Sequence, residues 1–185
     1  MTREKQYQFY VKYILVHLEQ ETTGRVIRNE SFACFQGLKV HKLCQYFIVM
    51  AIGGPNDRTD YHINETEEWF YQVKGDMVLK IVDESTTPAT FNDIPIAEGE
   101  MFLLPGRVPH SPQRFADTVG IVIERVRSTT EGSVPDILRW YCKLCHAVVY
   151  EESFFCIDVQ TQLKEIIGRW HASEKVCPSC GTSNQ

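Results

Sequence analysis

The chain lacks a basic run, a hydrophobic stretch long enough for a bilayer, an internal repeat and any low-complexity tract. Each absence removes a class of function. Nineteen lysines and arginines are outnumbered by 24 aspartates and glutamates, a net charge of -5, so the electrostatic footprint of a nucleic-acid or anionic-membrane binder is missing. The longest apolar stretch, Tyr7 to Leu18, is interrupted by Lys12 and His17 and is too short to span a membrane. It is also a poor secretory signal, because Glu19-Gln20-Glu21-Thr22-Thr23 follows where small residues of a cleavage site should stand. The expectation is a cytoplasmic protein with no membrane or nucleic-acid partner. In that reducing compartment seven cysteines, an odd number, read as thiols or metal ligands rather than disulfides.

What is present is ordinary globular material: 43% hydrophobic and 23% charged residues in a chain of 185, enough for one core plus an appendage. Short β-rich segments follow one another at 46–52, 69–73, 77–82, 90–96, 101–104 and 119–124, separated by turn residues such as Gly53-Gly54-Pro55-Asn56, Lys74-Gly75-Asp76 and Pro105-Gly106. That rhythm predicts an antiparallel sandwich or barrel with room for a small ligand. Ser128-Thr129-Thr130-Glu131-Gly132-Ser133 reads as a linker. Beyond it Val159, Leu163, Ile166, Ile167 and Trp170 fall on one face of a helix capped by Asp158. Periodicity leaves Tyr7–Leu18 undecided between strand and buried helix.

Strand geometry picks out a polar constellation. Alternate residues share a face, so Arg58, His62 and Asn64 should point together; a turn at 65–67 then puts Glu68, Phe70 and Gln72 on one face of the next strand. On that reading a histidine and a carboxylate meet across a hairpin. The same period joins His110 to Arg114, and Glu124 ends an apolar run on the Val122 side. Charged groups enter an apolar interior only with partners, so this set requires a metal, a bound anion, or both. Two imidazoles and a carboxylate with open positions suit non-haem Fe(II), although zinc, manganese or nickel fit the same ligand types.

Cys142-Lys143-Leu144-Cys145 and Cys177-Pro178-Ser179-Cys180 form two knuckles 31 residues apart. Four thiolates close a tetrahedral site around zinc or iron with no position left for chemistry. A short tail with one helix has too little core to order itself, which favours a structural metal over a redox dithiol. Gly181 follows the second knuckle, but His146 takes the equivalent place after the first, a departure from the rubredoxin-like pattern. Cys34, Cys44 and Cys156 read as unpaired thiols, and His17, His41 and His171 as ordinary core or surface residues.

His62-x-Asn64-x3-Glu68-x6-Gly75 resembles the first cupin motif, with asparagine where many cupins have a second histidine. Gly99-x5-Pro105-x4-His110 resembles the second, with Arg107 in place of glycine. More narrowly, three runs are similar to the 3-hydroxyanthranilate 3,4-dioxygenase family. They are Gly53-Gly54-Pro55-Asn56-Asp57-Arg58-Thr59-Asp60-Tyr61-His62-Ile63-Asn64, Glu98-Gly99-Glu100-Met101-Phe102-Leu103-Leu104-Pro105 and Arg107-Val108-Pro109-His110-Ser111-Pro112-Gln113-Arg114-Phe115. The likeness extends from about Gln45 to the C-terminus; residues 1–45 do not resemble the family's usual beginning, so no residue carries over from there.

The resemblance implies a mainly β cupin, a double-stranded β-helix or jelly-roll barrel, with a small C-terminal four-cysteine extension containing one helix. It divides the chain into an atypical segment 1–44, a barrel 45–127 and a linker with rubredoxin-like extension 128–185. It makes His62, Glu68 and His110 the ligands of catalytic Fe(II), and Cys142, Cys145, Cys177 and Cys180 those of zinc or iron. Arg58 and Glu124 become catalytic residues, and Arg58, Glu68, Arg114 and Glu124 surround 3-hydroxyanthranilate and O2. The implied product is 2-amino-3-carboxymuconate semialdehyde, which closes unaided to quinolinate, a precursor of NAD in the kynurenine pathway; the implied assembly is a homodimer. Two other readings stand beside it. One is a metal-dependent cupin isomerase or epimerase, the other a non-catalytic module binding a small anion.

Overall fold

Residues 37–42, 46–128 and 132–184 are described by the structure, a computed structural model. The stretch Tyr7–Leu18, His17, Cys34, Cys44 and residues 129–131 of the expected linker lie outside the described residues, as do the side chains of His41 and Val159.

Apolar and β-branched residues dominate the strands, and the turn residues end them close to where the composition changes. The order is β1 (Gly37–Lys42), β2 (Phe47–Gly53), β3 (Tyr61–Ile63), β4 (Glu68–Lys74), β5 (Met77–Asp83), β6 (Thr90–Ile96), β7 (Met101–Leu104), β8 (His110–Arg114), β9 (Val119–Arg125), β10 (Asp136–Tyr141), β11 (Val148–Phe154) and α1 (Val159–Ala172). Two antiparallel sheets result, one ordered β1-β2-β9-β4-β7 and the other β11-β10-β3-β8-β5-β6. Consecutive strands mostly lie in different positions or sheets, the crossing pattern of a jelly roll. The cupin fold implied by the motifs is the fold of this chain. Between the sheets Met50, Phe70, Met77, Leu79, Ile96, Leu104 and Val122 form the main core, and each such side chain contributes roughly 1.5–3 kcal/mol on burial.

Three sequence readings change. The turn at 65–67 does not close a hairpin, because β3 and β4 belong to different sheets. The chain crosses the sandwich there, held by the Arg107 N–H donating to the Asn64 carbonyl at 2.7 Å, so His62 and Glu68 face each other through the interior. Arg58 is not on a strand; it lies before β3 with its side chain a quarter exposed. The segment after 128 holds two strands as well as its helix, and β1 adds a strand from within the N-terminal segment.

β10 fastens the extension to the barrel. Asp136, Leu138 and Trp140 alternate as its buried face, and Leu138 is the register partner of His62. Against Leu138 and Trp140 pack Ile166 and Trp170 of α1, with the two indoles stacked 5.1 Å apart. Leu163 touches both this cluster and the barrel core, so one apolar interior runs through both parts. Asp158 caps α1, its carboxylate accepting from the Thr161 hydroxyl at 2.7 Å and facing the Thr161 N–H at 3.5 Å.

Candidate active site

His62 and His110 are register partners on the adjacent strands β3 and β8, while Glu68 enters from β4 on the facing sheet. Their side chains are almost fully buried. The Glu68 Oε1 atom lies 3.7 Å from His62 Nδ1 and 3.3 Å from His110 Nε2. Ligand atoms about 2.1 Å from one ion are separated by about 3.0 Å at right angles and about 3.4 Å at tetrahedral angles, so these three could hold a cation with small adjustments. The histidines are oriented by different anchors: His110 Nδ1 lies 3.0 Å from the Val108 carbonyl, and His62 Nε2 lies 2.8 Å from Asp136 Oδ2. Phe70 meets the His110 ring edge-on and Phe154 stacks over His62, giving the polar group apolar walls. Burial alone would raise the Glu68 carboxyl, but His110 and His62 outweigh it and hold the group well below the usual carboxylate range.

Glu124 stands beside Glu68, since the two are register partners on β9 and β4. Its Oε2 accepts from Arg127 Nη2 at 2.8 Å and is 3.5 Å from the Asn64 amide, whose nitrogen also donates to Glu68 Oε1 at 2.7 Å. Its Oε1 is buried with no hydrogen-bond partner among the described residues. Burial first, then repulsion from Glu68, push the Glu124 carboxyl up to about 7 against the pull of Arg127. A group so poised can accept a proton at Oε1 near neutral pH.

Arg114 shares the buried face of β8 with His110, as the period-two reading expects. Its Nη1 donates to Gln72 Oε1 at 2.9 Å, whereas Nη2 is buried and unpartnered among the described residues. Gly120 makes this pairing possible: a Cβ there would collide with both Gln72 Oε1 and Arg114 Nη1. Burial, helped by the charge of Arg58, lowers the Arg114 guanidinium to about 10. Arg58 is bound to Asp60 through two contacts, Nε to Oδ1 at 3.2 Å and Nη2 to Oδ2, and its charge also reaches Glu68. Two guanidiniums thus favour an anion in one region.

The second polar cluster is built from the cysteines. Cys142 and Cys180 sulfurs are 3.6 Å apart, and those of Cys145 and Cys177 are 3.5 Å apart. Sulfurs at about 2.3 Å from a tetrahedral ion would be separated by about 3.75 Å, so this group also fits a cation. The knuckles repeat one backbone design. His146 N–H donates to the Cys142 carbonyl at 3.0 Å and Gly181 N–H to that of Cys177 at 2.9 Å, with positive φ at both His146 (60°) and Gly181 (74°). The imidazole that replaces a glycine there packs 4.2 Å from the Phe91 ring. Backbone N–H groups of Cys145 and Leu144 pull the Cys142 thiol down to about 6; neighbouring sulfurs outweigh the Ala147 N–H and drive Cys145 up to about 11. Only a cation would let all four ionise together.

No motif marks Asp136 or Arg127, and strand alternation gives Gln72 a face but no role. The available signal was Asp136 at the head of the Asp136, Leu138, Trp140 alternation: a carboxylate on an otherwise apolar strand face needs a buried partner. Cys156 is a free thiol, half-buried and pushed up to about 12 by burial, and His171 is exposed on α1. Among the described residues no helix is long and apolar enough to cross a membrane.

Known proteins resemble this chain over most of its length. The sequence model of the family described as 3-hydroxyanthranilic acid dioxygenase matches residues 35–171, starting earlier than the resemblance noted above and stopping before the second cysteine knuckle. The chain is 54% identical over 138 residues to 3-hydroxyanthranilate 3,4-dioxygenase 1 of Aspergillus oryzae, covering 74% of this chain and 70% of that one. It is 51% identical over 147 residues to 3-hydroxyanthranilate 3,4-dioxygenase of Neurospora crassa, covering 77% and 78% respectively. Among solved structures, an RmlC-like cupin with a double-stranded β-helix fold from Methanocaldococcus jannaschii is 18% identical, with a TM-score of 0.40 over 55% of this chain and 93% of that chain. With the family's sequence model spanning most of the barrel and tail, and relatives above 50% identity, the chain belongs to the 3-hydroxyanthranilic acid dioxygenase family.

Proposed function

We propose that this chain is a 3-hydroxyanthranilate 3,4-dioxygenase, an oxidoreductase that cleaves the ring of 3-hydroxyanthranilate with O2 to 2-amino-3-carboxymuconate semialdehyde. That product closes without an enzyme to quinolinate, which supplies NAD synthesis. The observation that carries the reading is the buried convergence of His62, Glu68 and His110 beside Glu124, in a chain of this family; Glu124 Oε1, and Nη2 of Arg114 on the His110 face of β8, are buried with no hydrogen-bond partner among the described residues.

His62 Nδ1, His110 Nε2 and one Glu68 oxygen would hold Fe(II), and Cys142, Cys145, Cys177 and Cys180 a structural zinc or iron. Bound Fe(II) supplies a centre at which an aminophenol and dioxygen meet and exchange electrons. The chain's own groups do the rest. Arg114 Nη2 binds the substrate carboxylate, its other nitrogen fixed by Gln72. Arg58, held by Asp60 at the rim, adds positive charge for the carboxylate or for oxygen. Glu124 Oε1 takes the phenolic proton, and Asn64 sets the spacing of the two carboxylates by donating toward both. Phe70 and Phe154 keep the surroundings apolar, which strengthens each of these charge interactions. In this scheme residues 45–127 carry the chemistry and 128–185 support it, and the family likeness supports a homodimer as the working unit.

The test is anaerobic reconstitution with Fe(II), followed by 3-hydroxyanthranilate and air-saturated buffer. Stoichiometric oxygen uptake with growth of the semialdehyde's absorbance is the expected result. Substrate binding without oxygen uptake would instead favour a cupin that uses its metal only as a Lewis acid.

A further inference from the structure

A continuous buried chain of charge links one proposed iron ligand to the proposed proton acceptor. His62 Nε2 is 2.8 Å from Asp136 Oδ2, Arg127 Nε is 2.8 Å from the same oxygen, and Arg127 Nη2 donates to Glu124 Oε2 at 2.8 Å. All four residues are at most 9% exposed. They come from β3, β10, the segment after β9, and β9 itself.

The chemistry of each link is constrained. A carboxylate can only accept, so the neutral His62 ring must carry its proton on Nε2, which leaves the Nδ1 lone pair facing Glu68 and His110. His110 has the opposite arrangement, donating from Nδ1 to a backbone carbonyl and presenting Nε2. One ligand is therefore fixed by main chain and the other by a side chain that can be replaced. Arg127 then hydrogen-bonds Glu124 and stands in ion-pair contact with Asp136, compensating two buried anions, while Glu124 Oε1 has no hydrogen-bond partner among the described residues.

We propose that Asp136 and Arg127 are positioning residues: Asp136 fixes the His62 tautomer that can bind the ion, and Arg127 ties that carboxylate to Glu124. This rests on His62 being a ligand, as argued under the proposed function. The extension after residue 128 thus contributes to the catalytic centre through β10, besides bearing the four cysteines.

Three measurements decide it. In zinc-substituted wild-type protein with 15N-labelled histidine, long-range proton–nitrogen spectra should place the proton of His62 on Nε2 and that of His110 on Nδ1; a proton on His62 Nδ1 overturns the proposal. This needs no variant to fold. Asp136→Asn should weaken Fe(II) binding by about 10- to 100-fold while the four-cysteine site keeps its full metal content. Arg127→Lys should lower kcat by about tenfold with Fe(II) affinity changed by less than about threefold, a split that general destabilisation does not produce. Equal Fe(II) affinity in Asp136→Asn and wild type overturns the inference but leaves the ligand assignment standing. Wild-type protein that holds no ion through His62 overturns both.

Discussion

Glu68 on β4 and Glu124 on β9 are register partners, both buried, and their carboxyls are driven in opposite directions. The two histidines overcome the burial of Glu68 and keep it ionised. Among the described residues no histidine acts on Glu124, and burial plus the Glu68 charge raise it to about 7. Neighbouring carboxyls with separated proton affinities can divide the work, one holding a cation and the other moving a proton.

A pH profile should expose that division. Glu124 accepts a proton only when ionised, so kcat/KM should fall as pH drops through its apparent pKa. An ion held by Glu68 lowers that pKa further, which puts the acid limb at or below about 7. Glu124→Gln should lose about 10²- to 10⁴-fold in kcat/KM and lose this acid limb as well. An unchanged limb in the variant would mean that another group sets it.

Removal of a histidine should separate the two metal sites. His110→Ala takes one of the three proposed ligands and removes the nearer of the two imidazoles that face Glu68, 3.3 Å from its Oε1. Iron retention and turnover should disappear together, while the metal proposed at Cys142, Cys145, Cys177 and Cys180 should stay, so metal analysis should register the loss of one ion per chain. Full iron content and turnover in this variant would remove His110 from the ligand set.

Arg114 should matter for binding more than for turnover. Losing a charge-assisted hydrogen bond to a carboxylate costs about 1.5–3 kcal/mol, so Arg114→Ala should raise KM by roughly 10- to 150-fold with a smaller change in kcat. Gly120→Ala should act in the same direction without touching substrate, because its methyl group would displace the Gln72 and Arg114 side chains that meet over that glycine. A normal KM in Gly120→Ala would show that the Gln72 contact does not position Arg114.

Most strands of the barrel were legible because their apolar runs are bounded by Gly, Pro, Asn and Asp, whose turn preferences are local. The face shared by His110 and Arg114 was legible for the same kind of reason, as strand alternation needs no tertiary information. Arg58 was misplaced by extending that alternation beyond the three residues of β3. The supposed hairpin failed because a turn does not reveal whether the chain returns in its own sheet or crosses to the facing one. Asp136 and Arg127 flank a polar stretch that resembles a solvated linker; the pairing of β10 with β3 brings Asp136 to His62, and Arg127 joins them through Asp136. β11 is not legible in sequence because Val148, Glu151 and Ser153 are exposed while its other residues, Glu152 included, are only partly buried, so no polar and apolar alternation marks it.

The positive φ of His146 sets a further test, on stability. A non-glycine residue in this conformation costs about 1–2 kcal/mol, and the ring contact with Phe91 offsets about 0.5–1.5 kcal/mol of it. His146→Gly removes the strain and the contact together, so the metal-loaded protein should stay within about 1 kcal/mol of wild type. His146→Ala keeps a Cβ at positive φ but loses the ring, and should be less stable by about 1 kcal/mol. His146→Val should be worse still, since a β-branched side chain fits this conformation poorly. Thermal unfolding and the rate of metal loss to a chelator should both follow the order histidine and glycine together, then alanine, then valine. If the alanine variant matches wild type in both, the Phe91 contact is not what permits histidine at a position where the second knuckle has Gly181.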